Sequence, residues 1–173
     1  KSLGSFINQK FSKNKVVVCR DNKNSSKPLK KSLITGLKNT GLQIVDIGIG
    51  PTDYAAFSGK EQGTVSVEVT SSHMPLEFNG FKFMYPEGNG FLNEDLYAVQ
   101  DLFRSGEFET GSGSLKDERG LKDDYMEEIV DFASRYRESG DRKIVVDSLG
   151  GTGLILPELL RKMGHEVIEI SRD

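Results

Sequence analysis

The chain has 173 residues, a formal net charge of −3 and 36% apolar side chains, enough for one large domain, or one domain and part of another, around an ordinary hydrophobic core. The slight acidic excess gives no reason to expect nucleic acid as a partner, and no apolar run is long enough to span a membrane. A single cysteine, Cys19, excludes an intramolecular disulfide and fits a reducing compartment, so the protein is expected in the cytoplasm.

Leu3, Phe6, Ile7 and Phe11 stand at helical spacing. Lys15 to Cys19 (KVVVC) is a continuous apolar run, the pattern of a strand covered on both faces. A polar loop, Arg20 to Ser26, leads into a helix from about Pro28 to Asn39, with Leu29, Leu33, Ile34 and Leu37 on its apolar face and Gly41 as its stop. Gln43 to Ile47 is the next strand, Gly48, Gly50 and Pro51 a turn, and Tyr54 to Gly59 a short helix.

The stretch Thr64 to Tyr85 follows. Val65, Val67 and Val69 alternate with Ser66 and Glu68, the period of a half-buried strand. The strand runs into Thr70, Ser71, Ser72 and His73, and Pro75 removes a backbone donor and bars further pairing. Asn79-Gly80 signals a turn, after which Phe81 and Phe83 alternate with Lys82 and Met84 in a second strand. Hydroxyls and an imidazole on a tight loop at a strand end, with a lysine emerging nearby, make this the place to look for chemistry.

Strand, helix, strand, helix, strand is the order of an α/β sheet with crossover helices and a site at its strand ends. Beyond it, Asn93 caps a helix carrying Leu96, Val99, Leu102 and Phe103. Ser105 to Gly120 reads as an exposed connector. Asp124 to Arg137 is an amphipathic helix with Tyr125, Ile129, Phe132 and Ala133 inward, broken by Ser139-Gly140-Asp141. KIVVD, SLGGTG, LILPELLRKMG and HEVIEI then form one βαβ unit at the end. The expected division is a first domain over 1–139 and the beginning of a second over 140–173. The chain opens on Lys1 and closes just past a strand, so its ends are expected to be cuts.

Ser72 and His73 do not fit a serine-hydrolase triad. Neighbours in an extended loop point apart, and no G-x-S-x-G elbow surrounds the serine. A phosphoryl carrier fits better, since that transfer is catalysed by positioning and charge stabilisation. From spacing alone the simpler reading is that the serines cap a turn. The lesser signals have plain explanations: Gly150-Gly151-Thr152-Gly153 is a tight strand-to-helix turn rather than a dinucleotide loop, Cys19 a small core residue, and Asp123-Asp124 favourable charge at a helix start. Two histidines and one cysteine propose no zinc cluster.

The sequence TSSHMP followed by NGFK resembles the T-A-S-H-N-P loop and N-G-x-K segment of the α-D-phosphohexomutases. CRDNK resembles that family's G-R-D-x-R loop, GIGPT its G-x-x-P-T turn, and KIVVDSLGGTG the start of its second domain. The resemblance implies a mixed sheet with crossover helices, plus the first βαβ unit of a second similar domain. It also implies interconversion of hexose 1-phosphate and 6-phosphate (mannose or glucose) through a phosphoserine and a bisphosphate intermediate. Ser72 matches the serine that carries the phosphoryl group and helps to hold magnesium. His73 and Lys82 match groups beside the transferring phosphoryl, Lys82 as general acid/base or charge stabiliser, and Arg20 matches the arginine supporting the loop. Met74, Ser71, Cys19 and Lys23 depart from the pattern, and Met74 lacks an amide's hydrogen bonds.

The remaining magnesium ligands, a D-G-D-x-D-R loop, do not occur in this chain, nor do the later sugar- and phosphate-binding loops. The fragment alone is therefore expected to be inactive. Two alternatives stand beside this reading: a phosphoglucosamine mutase, and a catalytically inactive homologue serving as a binding or regulatory module. The expected partner is a phosphosugar, with no nucleic acid and no membrane, and the sequence fixes no oligomeric state.

Overall fold

A computed structural model describes residues 1–11, 13–136 and 142–171. Two compact units divide the chain, Lys1–Arg119 and Gly120–Asp173. The boundary expected at 139/140 and the helix break at Ser139-Gly140-Asp141 lie outside the described residues. No helix among the described residues is long and apolar enough to cross a membrane.

The first unit is built on a five-stranded sheet of β1 (Lys15–Arg20), β2 (Gln43–Ile49), β3 (Ser66–Val69), β4 (Phe81–Met84) and β5 (Ser114–Asp117), in the order β4-β3-β1-β2-β5. The pairs β1–β2, β1–β3 and β2–β5 are parallel, and β3–β4 is antiparallel, so the sheet is mixed as expected. The KVVVC run becomes the central strand because it is apolar on both sides: Val16, Val17, Val18 and Cys19 are completely buried.

Helix α1 (Ser2–Lys10), α2 (Ser26–Lys38) and α4 (Asn93–Ser105) cover one face, where Leu3, Phe6, Ile7, Leu37 and Val99 pack on Val16, Val18, Ile44 and Val67. Each such side chain, fully buried, contributes about 1.5–3 kcal/mol. Phe91 stacks on Tyr85 at 4.6 Å between ring centres and closes the end of this core. Helix α3 (Thr52–Gln62) covers the other face of β1 and β3. A Cβ on Gly59 would stand 2.9 Å from Ser66 Cβ, so only glycine lets α3 come this close.

Two sequence expectations need correction here. Strand β3 is not half-buried: α3 closes its polar side, leaving Ser66 0% and Glu68 2% exposed. The connector 105–120 is not merely exposed chain. Gly111 and Gly113 donate backbone bonds to Asn39 and Lys38, and β5 then joins the edge of β2. A Cβ on Gly113 would lie 2.0 Å from the Leu42 carbonyl oxygen, so that glycine marks a backbone contact rather than slack. All four residues of β5 are exposed, which is why hydrophobic period gave no sign of it.

In the second unit β6 (Lys143–Asp147) and β7 (Glu166–Ile170) pair in parallel, joined through a 3-10 turn and α6 (Leu156–Lys162), the expected βαβ unit. Helix α5 (Leu121–Ser134) packs on α6 and carries Asp123 and Asp124 in its first turn. Its inward face is Tyr125 and Met126. Phe132, expected inward, is 59% exposed, because the residues that bury lie on the helix's first turns.

Candidate active site

The strand order turns about β1: β2 lies on one side and β3 on the other, with α2 and α3 on opposite faces. The carboxyl ends of β1 and β3 therefore flank the crevice where open α/β sheets carry ligands. Two loops meet there, Asp21–Ser25 after β1 and Thr70–Gly80 between β3 and β4.

The second loop is a closed excursion. The Thr70 amide donates to the Gly80 carbonyl at 3.0 Å and shuts its base. Inside, the Ser72 amide donates to Thr70 Oγ1 at 3.0 Å, the Met74 amide to the Ser71 carbonyl at 3.0 Å, and Ser71 Oγ to the Phe78 carbonyl at 2.6 Å. These contacts hold Ser72 at φ 54°, a left-handed conformation uncommon for a residue other than glycine. Its side chain is exposed.

The first loop clamps the second. Lys23 Nζ donates to Ser71 Oγ at 2.5 Å and to the Met74 carbonyl at 2.8 Å, while Asn79 Nδ2 donates to Ser25 Oγ and Ser26 Oγ, each at 2.8 Å. Asp21 organises this clamp by accepting from the Lys23 amide at 3.0 Å and from the buried Ser26 hydroxyl. The Asn79-Gly80 pair is thus more than a turn signal. Lys23 and Asn79 carry the clamp, and sequence reasoning singled out neither as a site residue.

The structure brings three of the four expected site residues to this loop and its cleft. Ser72 Oγ lies 3.3 Å from His73 Nδ1, which corrects the expectation that the two side chains point apart: the left-handed turn at Ser72 swings them together. Ser72 and Lys82 line one shallow cleft with Thr70, Met74 and Phe81. Arg20 does not line it. Its guanidinium donates to the Asp21 carbonyl at 2.8 Å and borders a different groove, beside α2.

Lys82 stands opposite Glu68 in the β3–β4 ladder and is exposed. Burial pushes the Glu68 carboxyl above its ordinary range, against a 2.5 Å hydrogen bond donated by Thr52 Oγ1; Asp21 and Asp53 add to the rise and Lys82 opposes it. Cys19 is fully buried, and burial foremost, then the Glu68 charge, push its thiol up to about 12, so it is an inert core residue as expected. Among the described residues no three His, Cys, Asp or Glu side chains gather into a set able to hold a metal ion. Toward a cation this loop offers the exposed hydroxyl oxygen of Ser72, a hard donor.

Residues 1–110 match the family model described as phosphoglucomutase/phosphomannomutase, alpha/beta/alpha domain I. A phosphoglucomutase/phosphomannomutase of Thermococcus kodakarensis is 36% identical over 166 residues, covering 90% of this chain and 36% of that protein. From the same organism, a probable phosphoglucosamine mutase is 30% identical over 99% of this chain and 38% of its own length. A phosphopentomutase is also 30% identical, over 93% and 36%. The crystal structure of a phosphoglucomutase/phosphomannomutase family protein from Burkholderia thailandensis superposes with a TM-score of 0.86 at 29% identity, covering 99% of this chain and 38% of that one. The chain thus spans little more than a third of the length of the relatives it matches.

Proposed function

The chain belongs to the phosphoglucomutase/phosphomannomutase family, and from that premise we propose that it supplies the phosphoryl-carrying loop of a mutase interconverting hexose 1-phosphate and 6-phosphate. The observation that carries this reading is the presentation of Ser72: an exposed hydroxyl, fixed in a strained turn, in a cleft shared with Lys82.

In the proposed reaction phosphorylated Ser72 donates to the sugar. The bond from phosphorus to Ser72 Oγ breaks as a sugar hydroxyl oxygen bonds to phosphorus. The resulting bisphosphate reorients and returns its other phosphoryl group to Ser72, which divides one difficult transfer into two. Lys82 is assigned the proton of the attacking hydroxyl, or, as an ammonium, the charge developing on the phosphoryl oxygens. The departing serine oxygen takes up a proton, for which His73 Nδ1 at 3.3 Å is suitably placed. Arg20 is assigned to support of the site through the loop after β1, where it holds the Asp21 carbonyl.

Magnesium, a hard cation suited to phosphate and hydroxyl oxygens, would neutralise phosphoryl charge when bound. Ser72 would be this chain's ligand to it, the resemblance assigning the others to a D-G-D-x-D-R loop that the 173 residues do not contain. The proposed protein is cytoplasmic, the fragment alone is inactive, and residues 140–173 open a second domain.

The test is mass spectrometry of the full-length parent incubated with magnesium and a hexose 1,6-bisphosphate. Phosphate on Ser72 is the expected result, and a parent that stays unphosphorylated there supports the inactive-homologue reading, which Met74 favours. Turnover of glucosamine 1-phosphate in place of glucose or mannose 1-phosphate would assign the parent to the phosphoglucosamine mutases. The relatives' names favour neither sugar over the other.

A further inference from the structure

Helix α2 has no acidic residue and four lysines, Lys27, Lys30, Lys31 and Lys38, in a chain whose net charge is −3. All four border a groove of about 590 Å³ between α2 and the β2–β5 side of the sheet. Arg20 and Arg119 complete a rim of six cations against a single acid, Asp46. That acid is already neutralised, because Lys30 pairs with it and also donates to the Gly48 carbonyl at 3.1 Å. Arg119 pairs with Asp117 at 2.8 Å, its stem lying over Gly48, 3.5 Å from where a Cβ would be. The ammonium groups of Lys27, Lys31 and Lys38 make no hydrogen bond or ion pair among the described residues. The floor is apolar: Ile34, Ile49 and Leu115, of which Ile49 and Leu115 are 49% and 50% exposed.

We infer that this groove is a binding site for a phosphorylated organic anion with an apolar body, of the size of a nucleoside diphosphate. The inference does not rest on the mutase reading: of the residues assigned there only Arg20 borders the groove, and neither Ser72 nor Lys82 lines it. Three unpaired lysines on one stripe of a helix concentrate positive potential, and the first turn of α2 adds its own partial charge at the end holding Lys27. A bare phosphate would satisfy the cations and leave Ile49 and Leu115 wet; a sugar phosphate would set hydroxyls on an apolar floor. An anion carrying a flat apolar ring meets both halves. The volume falls within the roughly 300–1,000 Å³ typical of small-molecule sites. The eleven-residue span from Lys27 to Lys38 corresponds to about 16 Å of helix, the reach of an extended nucleotide rather than of a single anion.

The test is methyl and amide NMR of the 173-residue chain titrated with ADP, and in parallel with inorganic phosphate and with glucose 6-phosphate. The expected result is saturable movement of the Ile34, Ile49 and Leu115 methyl signals with ADP, weakened at least tenfold in affinity by Lys27→Ala with Lys31→Ala. Both lysines are exposed, so the double variant should keep the wild-type circular dichroism; if it does not, Lys31→Glu alone serves. Silent floor methyls overturn the site, as does inorganic phosphate binding as tightly as ADP. Tighter binding of an acidic helical peptide than of ADP also overturns it, in favour of a protein-docking face.

Discussion

Lys23 reaches from the loop after β1 to Ser71, the residue immediately ahead of Ser72, and holds the Met74 carbonyl with the same ammonium. The conformation of the reactive loop is therefore set by a residue outside it. Truncating this side chain should loosen the loop without unfolding the sheet. In Lys23→Ala, hydrogen exchange at the Ser72 and Met74 amides should accelerate by roughly tenfold, in keeping with loss of about 1.4 kcal/mol from charged hydrogen bonds. Lys23→Arg should restore slow exchange, and unchanged exchange in Lys23→Ala would remove the clamp from the account.

Strain at Ser72 predicts a stability effect opposite to the functional one. At φ 54° glycine pays no steric penalty, so Ser72→Gly should raise unfolding free energy by about 1 kcal/mol while abolishing phosphorylation at this position. Ser72→Ala should abolish phosphorylation with no gain in stability. Urea melts of the two variants separate backbone strain from side-chain chemistry, and equal melts would show the turn to be relaxed.

Glu68 makes stability depend on pH in a definite direction. Its carboxyl titrates above the unfolded value, chiefly because it is buried. Its contribution is thus fully present below the unfolded pKa of about 4.3 and is lost as pH rises through the folded value. The stability of wild type relative to Glu68→Gln should fall as pH is raised from 4 to 7. Chemical denaturation across that range would show it, and a constant difference would mean the carboxyl is ordinary.

Asp95 should act in the opposite sense. Burial pushes it up, but hydrogen bonds from Lys10 and Tyr85 and the Lys10 charge leave it below its ordinary value. Its contribution is present above the unfolded pKa and disappears as pH falls through the folded one. Wild type should lose its advantage over Asp95→Asn on acidification below about pH 4, as followed by thermal melts.

Ser58 Oγ and Ser66 Oγ are buried without a hydrogen-bond partner among the described residues. Replacing Ser66 by alanine removes an unsatisfied hydroxyl at little loss of packing. It should stabilise the protein by about 1 kcal/mol, read as a higher denaturation midpoint at unchanged slope.

Apolar periodicity revealed the central strand at Val16–Cys19, the helices that cover it and the final βαβ unit, because each buries a contiguous apolar run or stripe. It missed β5, whose residues are all exposed and whose place rests on backbone hydrogen bonds and close glycine contacts. It also misjudged β3, since alternation along the strand does not show that α3, the helix just before it, folds back over Ser66 and Glu68. At the site, motif residues showed where the hydroxyl, imidazole and lysine lie. The clamp of Lys23 and Asn79 is tertiary, joining residues more than forty positions apart, and spacing along one loop carries no trace of it. The nearness of His73 to Ser72 depends on one left-handed residue that an extended-loop expectation could not supply.

Because the one native sulfhydryl is sealed within the central strand, maleimide reagents should pass the folded protein by. A cysteine introduced at Thr35, an exposed residue of α2 bordering the groove, would then be the sole labelled position. A fluorophore or spin probe placed there would report on occupancy of the lysine-rimmed groove against a silent background, with no other cysteine to remove from the 173 residues.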